Sequence, residues 1–254
     1  MKKWILILVT FFSCSTLAAD WSTTSISYLK GSNFSEQFGS DNNQTELTFE
    51  HASGWSYGDN FFWFEGTNAD FDSKQKAPSL YGEWSPRFSL GKIFGFYNRD
   101  RLVQDVLISN TLEFDTSRAV KQLYGLGVDL NFAGFQFFQI NFYVRNDPTR
   151  TGSTFQTTIA YKKQFDFHEK IRMTWGAYID IVHGKEGTKS DSTLVESHFH
   201  TAQQILLDIG HFFGKSNSFY SGMEYQYWNR KYGTPVSSGG QVENNPKFMI
   251  KWIL

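Results

Sequence analysis

Between Ser79 and Leu90, polar side chains recur at every second position: Tyr81, Glu83, Ser85, Arg87 and Ser89. The residues between them, Leu80, Gly82, Trp84, Pro86 and Phe88, carry no charge. A strand turns alternate side chains to opposite faces, so this segment has one hydrogen-bonding face and one greasy face. A related set stands at Asp59, Phe61, Trp63 and Glu65, where two large rings share parity with two acids. Flat rings beside ionisable groups suit a solute with a π-face and a polar sugar, because base–aromatic stacking is worth ~1–3 kcal/mol per base. Glu83 and Arg87 have a plainer reading as well, as members of a paired charge network bracing the inner wall.

Hydrolytic chemistry would need a nucleophile beside a histidine, or an Asp–His pair holding water. His198, His200 and Asp208 share parity on one segment but stand several residues apart along it. A lining role suits these histidines better, so the chain reads as a non-enzyme, with no metal site and no cofactor.

Residues of this kind need strands to hold them, and the alternation of the opening segment repeats along the chain. Twelve strands are expected, over 22–30, 45–51, 60–65, 79–90, 103–114, 120–130, 135–145, 154–163, 170–182, 198–210, 219–230 and 246–254. The long polar connections, 31–43, 66–78, 183–196 and 231–243, all follow odd-numbered strands. A barrel in a membrane, with both termini on one side, sorts its loops by parity in this way, whereas a soluble sandwich has no reason to. Residues 52–58, 91–101 and 164–169 are expected as turns.

The N-terminus agrees with export. Lys2 and Lys3 precede an uncharged run from Trp4 to Ala19, with small residues at Thr16, Ala18 and Ala19. Residues 1–19 therefore read as a cleaved secretory signal peptide, too short to span a bilayer, with the mature chain starting at Ala19 or Asp20. Cleavage removes Cys14, the one cysteine, so the mature chain has no disulfide. It also leaves 22 bases against 25 acids, too balanced to argue for a nucleic-acid polymer, and none is expected as partner. Aromatic residues make up 18% of the chain although no apolar run after residue 19 is long enough for a membrane helix. The expectation is an all-β fold over 20–254: a transmembrane antiparallel β-barrel of twelve strands with up-and-down topology, in the bacterial outer membrane.

Barrels of about eight strands fill with side chains and those of about sixteen enclose a wide channel, so twelve should leave a narrow lumen. The inward parity collects Glu50, Phe61, Trp63, Tyr81, Glu83, Arg87, Asp129, Tyr143, Arg145, Tyr178 and Trp228 as candidate lumen residues. Rings of charges and hydrogen-bonding groups in such a passage set its selectivity. Outward Trp84, Trp175 and Trp252 read as interfacial aromatics.

The stretch Leu80-Tyr81-Gly82-Glu83-Trp84-Ser85-Pro86-Arg87-Phe88-Ser89 resembles the Glu-x-x-Pro-Arg-Phe-Ser strand of the Tsx-like nucleoside-specific outer-membrane channels. Leu47-Thr48-Phe49-Glu50, Tyr124-Gly125-Leu126-Gly127-Val128-Asp129 and Tyr227-Trp228 resemble further strands of that family, and the ending from Asn245 to Trp252 is similar to its OmpK branch. The resemblance implies a monomeric twelve-stranded barrel passing nucleosides or similar small solutes by facilitated diffusion. It carries Glu50, Glu83, Arg87 and Asp129 over as lumen residues. It also implies external loops open to phage or colicin, so a surface receptor is the second reading and a barrel hydrolase the third. Ser85 departs from the family, which has an acid at the matching place. Leu254 departs from the wider pattern of outer-membrane barrels, most of which end in an aromatic residue.

Overall fold

The computed structural model describes residues 19–35, 43–68, 79–116, 119–184, 186–188, 194–235 and 241–254. The expected signal peptide, apart from Ala19, lies outside these residues. Twelve strands form one closed antiparallel barrel. They are β1 (Trp21–Gly31), β2 (Gln44–Trp55), β3 (Gly58–Thr67), β4 (Ser79–Ser89), β5 (Val103–Asp115) and β6 (Val120–Leu130). The circle continues with β7 (Phe135–Asn146), β8 (Thr154–His168), β9 (Ile171–His183), β10 (His198–Asp208), β11 (Phe219–Asn229) and β12 (Val242–Ile253). Each strand pairs with its neighbours in sequence, and β1 closes on β12 from Ser25↔Ile253 to Gly31↔Lys247. Closure leaves no open sheet edge along the paired length, which lets a strand structure sit in hydrocarbon.

The alternation predicts which side chains face out. Ile26, Tyr28, Leu47, Leu80, Trp84, Phe88, Ile108, Tyr124, Leu126, Phe142, Phe248 and Trp252 are exposed on the outer surface. Ser25, Ser27, Glu46, Arg87, Ser109, Glu113, Asn141, Glu224 and Lys247 are buried inside. A protein that exposes its aromatics and buries its charges is inverted relative to a soluble one, as a lipid-facing barrel must be. Gly82 serves the outer face directly. A Cβ there would stand 2.5 Å from the Phe114 ring, and its absence lets Phe114 stack against Phe62 with centroids 6.2 Å apart.

Several expected boundaries move. Residues 52–55 continue β2 rather than turning, and the turn shrinks to Ser56 and Tyr57, because Ala52 to Gly54 keep their ladder partners on β1 and β3. Likewise β8 runs on to His168, so the hairpin turns at Glu169 and Lys170 rather than over 164–169. The twelfth strand starts at Val242, four residues before Pro246, because Asn229 to Tyr225 on β11 pair with it. Leu90 and Gly210, expected at strand ends, belong to short helices: α1 (Leu90–Phe94) is capped by Ser89 and α2 (Ile209–Phe212) by Asp208. A polar side chain that accepts the first free helix amides ends a strand and starts a helix at one residue.

Pro86 sits inside β4 with its ladder to β3 intact, at Asn60↔Pro86. Towards β5 the pairing passes from Trp84↔Leu112 to Arg87↔Ser109, omitting Ser85 and Pro86. Proline has no N–H to give to that ladder. Ser85 Oγ and Thr111 Oγ1, 2.9 Å apart, bridge the gap from the inner side.

Candidate functional site: the barrel lumen

All eleven sequence-selected residues lie on the inner wall, but they divide into two groups. Arg87 is spent on structure. It donates from Nε to Asp59 Oδ1 at 2.8 Å and from Nη1 to Asp129 Oδ1 at 2.7 Å. Arg145 donates from Nη2 to Glu113 Oε2 at 2.7 Å and from Nη1 to Gln156 Oε1 at 2.9 Å. Tyr143, nearly buried, places its hydroxyl 2.7 Å from Ser109 Oγ. Lys251 pairs with Glu50. These groups satisfy one another between adjacent strands and across an intervening one, and leave little capacity for a solute.

The second group presents free faces from two sides of the lumen. On β3 and β4, the Trp63 and Tyr81 rings lie 5.5 Å apart at 55°. Tyr81 donates its hydroxyl proton to Glu83 Oε1 at 2.9 Å. Glu65, one step along β3, accepts from Thr48 Oγ1 at 3.1 Å. Phe61 continues the row and is 36% exposed although it faces inward, which places it against the open part of the lumen.

On β9 to β11 stands an aromatic column. His200 lies flat on Trp228, with centroids 3.6 Å apart and planes at 12°. Tyr178 meets His200 edge-on at 5.1 Å, and Tyr232 approaches Trp228 at 5.4 Å. His200 Nε2 lies 3.0 Å from Gln226 Nε2, which fixes the ring. Asp180, beside the column, accepts from Thr158 Oγ1 and from Gln156 Nε2. In the ring of twelve, β3 stands six strands from β9 and β4 six from β10, so the two walls face each other across the lumen.

Parity alone would have found two further lumen residues. Phe248, Ile250 and Trp252 face out, so Lys247 and Lys251 must face in. Lys247 Nζ bonds Glu46 Oε2 at 2.6 Å and Glu224 Oε1 at 3.1 Å. The interior also holds a small apolar cluster of Leu29, Leu206, Tyr220 and Met249, packed against Ile253. A reading that looks for charges passes over inward leucines. Arg172 and Asp208 do other work: Arg172 pairs with the exposed Asp166, and Asp208 caps α2 by accepting from His211 N and Asn217 N. His198 and His200 therefore meet neither Asp208 nor, among the described residues, a serine or threonine nucleophile. A trough of about 710 Å³ lined by Phe49, His51, Phe62, Trp84 and Phe114 lies on the outer, lipid-facing side and is no part of the passage.

No protein-family model matches the chain, and no curated protein matches it. Among solved structures, a KdgM porin in complex with disordered oligogalacturonate is similar at 10% identity and a TM-score of 0.46, over 90% of this chain and 98% of that one. A bacterial polysaccharide outer membrane secretin is similar at 9% identity and 0.42, over 93% and 99%. The translocator domain of autotransporter NalP from Neisseria meningitidis gives 9% and 0.34, over 91% and 87%. The likeness is one of barrel architecture and says nothing about cargo.

Proposed function

We propose that this barrel is a passive channel of the bacterial outer membrane for nucleosides or similar small, flat, polar solutes, exported with residues 1–19 as its signal. The observation that carries the reading is the pair of facing aromatic walls, Trp63 with Tyr81 and His200 with Trp228, each with carboxylates at its side. A base can stack on either ring set while a sugar exchanges hydrogen bonds with Glu83 or Asp180. Sites of this kind bind weakly enough to release the solute to the next one, which facilitated diffusion requires. The outward aromatics meet lipid. The barrel closes on itself within one chain, so a monomer suffices.

Single-channel current through the purified protein tests this reading. Adenosine or thymidine should block the current reversibly at concentrations where a hexose of similar size does not. Equal permeation of nucleosides and sugars of like size removes the specificity and leaves a general pore.

A further inference from the structure

We propose that the residues just after β1, Ser32 to Ser35, form a strap across the loop end of the lumen, and that Phe34 within it is the constriction deciding which solutes enter. This rests on the channel reading above.

The strap follows from unequal strand lengths. The register between β1 and β12 ends at Gly31↔Lys247, yet β12 begins at Val242. Residues 242–246 thus overhang the seam, and a bare overhang would leave backbone groups unpaired along one edge. The chain after Gly31 bends over that overhang. Asn33 N donates to Asn245 Oδ1 at 3.2 Å, and the Asn33 side-chain amide donates to the Asn244 carbonyl. Ser35 N donates to Glu243 Oε2 at 2.7 Å.

A latch holds the far end. Lys231 Nζ reaches Glu243 Oε2 at 2.6 Å and the Ser35 carbonyl at 3.1 Å. Glu243 is 1% exposed and faces inward, so the pair is sealed within the barrel mouth. Lys231 reaches it because Arg230 and Tyr232 take left-handed backbone, with φ of 54° and 58°. Such conformations strain non-glycine residues and persist where the surroundings enforce them, often where a segment works.

Covering the overhang needs only the bonds made by Asn33 and Ser35. Phe34 does more: its side chain turns into the barrel and is 4% exposed. Its ring lies 5.2 Å from Lys247 Nζ, the ammonium that joins Glu46 to Glu224. Gly31 leaves it room, since a Cβ there would stand 2.8 Å from the Phe34 ring. The ring therefore occupies interior space above an ion cluster, where an apolar ring narrows a passage.

The test uses planar-bilayer conductance and liposome swelling with the full mature chain, comparing wild type, Phe34→Ala and Lys231→Met, each confirmed folded by its heat-modifiable gel mobility. Phe34→Ala should raise single-channel conductance about twofold and admit a disaccharide that the wild type excludes. Lys231→Met, which keeps the ring but frees the strap, should switch between the wild-type level and the Phe34→Ala level. Current in a closed wild type appearing only with Phe34→Ala supports the strap as a plug. Wild-type current unchanged in folded Phe34→Ala overturns the strap and leaves the channel standing. No current in any variant overturns the channel reading and the strap together.

Discussion

Arg87 Nη1 and Asp129 Oδ1 lie 2.7 Å apart although 42 residues separate them in sequence, and the bond joins β4 to β6 over the top of β5. The small side chain of Ser109, fully buried, leaves the guanidinium room to cross. With Asp59 on the other side, one buried cation holds three strands together. Arg87→Met leaves two inward carboxylates without their cation. Breaking a buried pair in this way costs about 3–5 kcal/mol. Urea unfolding in detergent or liposomes should show a clearly lowered midpoint, partly recovered when Asp129→Asn is added. Arg87→Lys should recover little, because an ammonium lacks the planar fork that engages both partners. A wild-type midpoint for Arg87→Met would remove Arg87 as a brace.

This arrangement shows what the sequence makes legible. Parity alone placed Tyr81, Glu83 and Arg87 on one face and Trp84, Pro86 and Phe88 on the other, because a strand's period of two admits no other choice. The plainer reading, a paired network bracing the inner wall, is the one that Arg87 and its partners support, whereas Glu83 has no basic partner among the described residues. Those partners, Asp59 and Asp129, were beyond reach, since they depend on register between strands and a single strand carries no record of it. Turn lengths failed for a related reason: Ala52 to Gly54 look like a turn until the partners on β1 and β3 hold them extended. Phe34 had no periodic signal at all, being in a loop. Its place became visible only with the overhang of β12.

The outer face gives a second prediction. Leu126 is 52% exposed and points outward on β6, while Lys121, same strand and opposite parity, lies inside near Asp115 at 3.5 Å. Leu126→Arg puts a charge in hydrocarbon and should cost roughly 2–4 kcal/mol if the site is near the bilayer midplane. Lys121→Gln removes only a half-screened lumen pair and should cost under about 1 kcal/mol. Folding yield into liposomes separates the two. Equal tolerance of both substitutions is incompatible with a lipid-facing exterior.

The aromatic walls give a third. Trp63→Ala removes one stacking surface and leaves the His200–Trp228 stack, 3.6 Å between centroids, untouched. Loss of one base–ring contact weakens binding by ~1–3 kcal/mol, so the nucleoside concentration for half-block should rise about tenfold. Trp228→Ala should act similarly from the opposite wall and also loosen His200. If both walls hold the same solute, the double variant should lose block altogether, while single-channel conductance in plain salt stays near wild type. Unchanged block in Trp63→Ala would place the solute elsewhere in the lumen.

The charge balance of the lumen gives the last. Glu46, Glu50, Asp59, Glu113, Asp129 and Glu224 each have a basic partner within salt-bridge distance. Glu65, Glu83 and Asp180 have none among the described residues; their bonds come from Thr48, Tyr81, Thr158 and Gln156. Lys162, opposite Gly176 on the inward parity of β8, is the reverse case, a lumen base with no acid within salt-bridge distance among the described residues. Lys247 is shared by Glu46 and Glu224, and Arg87 by Asp59 and Asp129, so each trio keeps one negative charge and the field along the lumen is negative. Carboxylates around a passage favour cations, most strongly where low-dielectric walls focus the field. The reversal potential in a KCl gradient should therefore show K⁺ preferred over Cl⁻. Glu83→Gln and Asp180→Asn should each lower the permeability ratio two- to threefold, the effect of roughly 0.5 kcal/mol at the dielectric of a water-filled passage. The preference should fade at high ionic strength, since the Debye length shrinks to about 3 Å at 1 M. Lys162→Gln should move the ratio the opposite way, and a shift in the same direction as Glu83→Gln would mean that pore shape, not fixed charge, sets the selectivity.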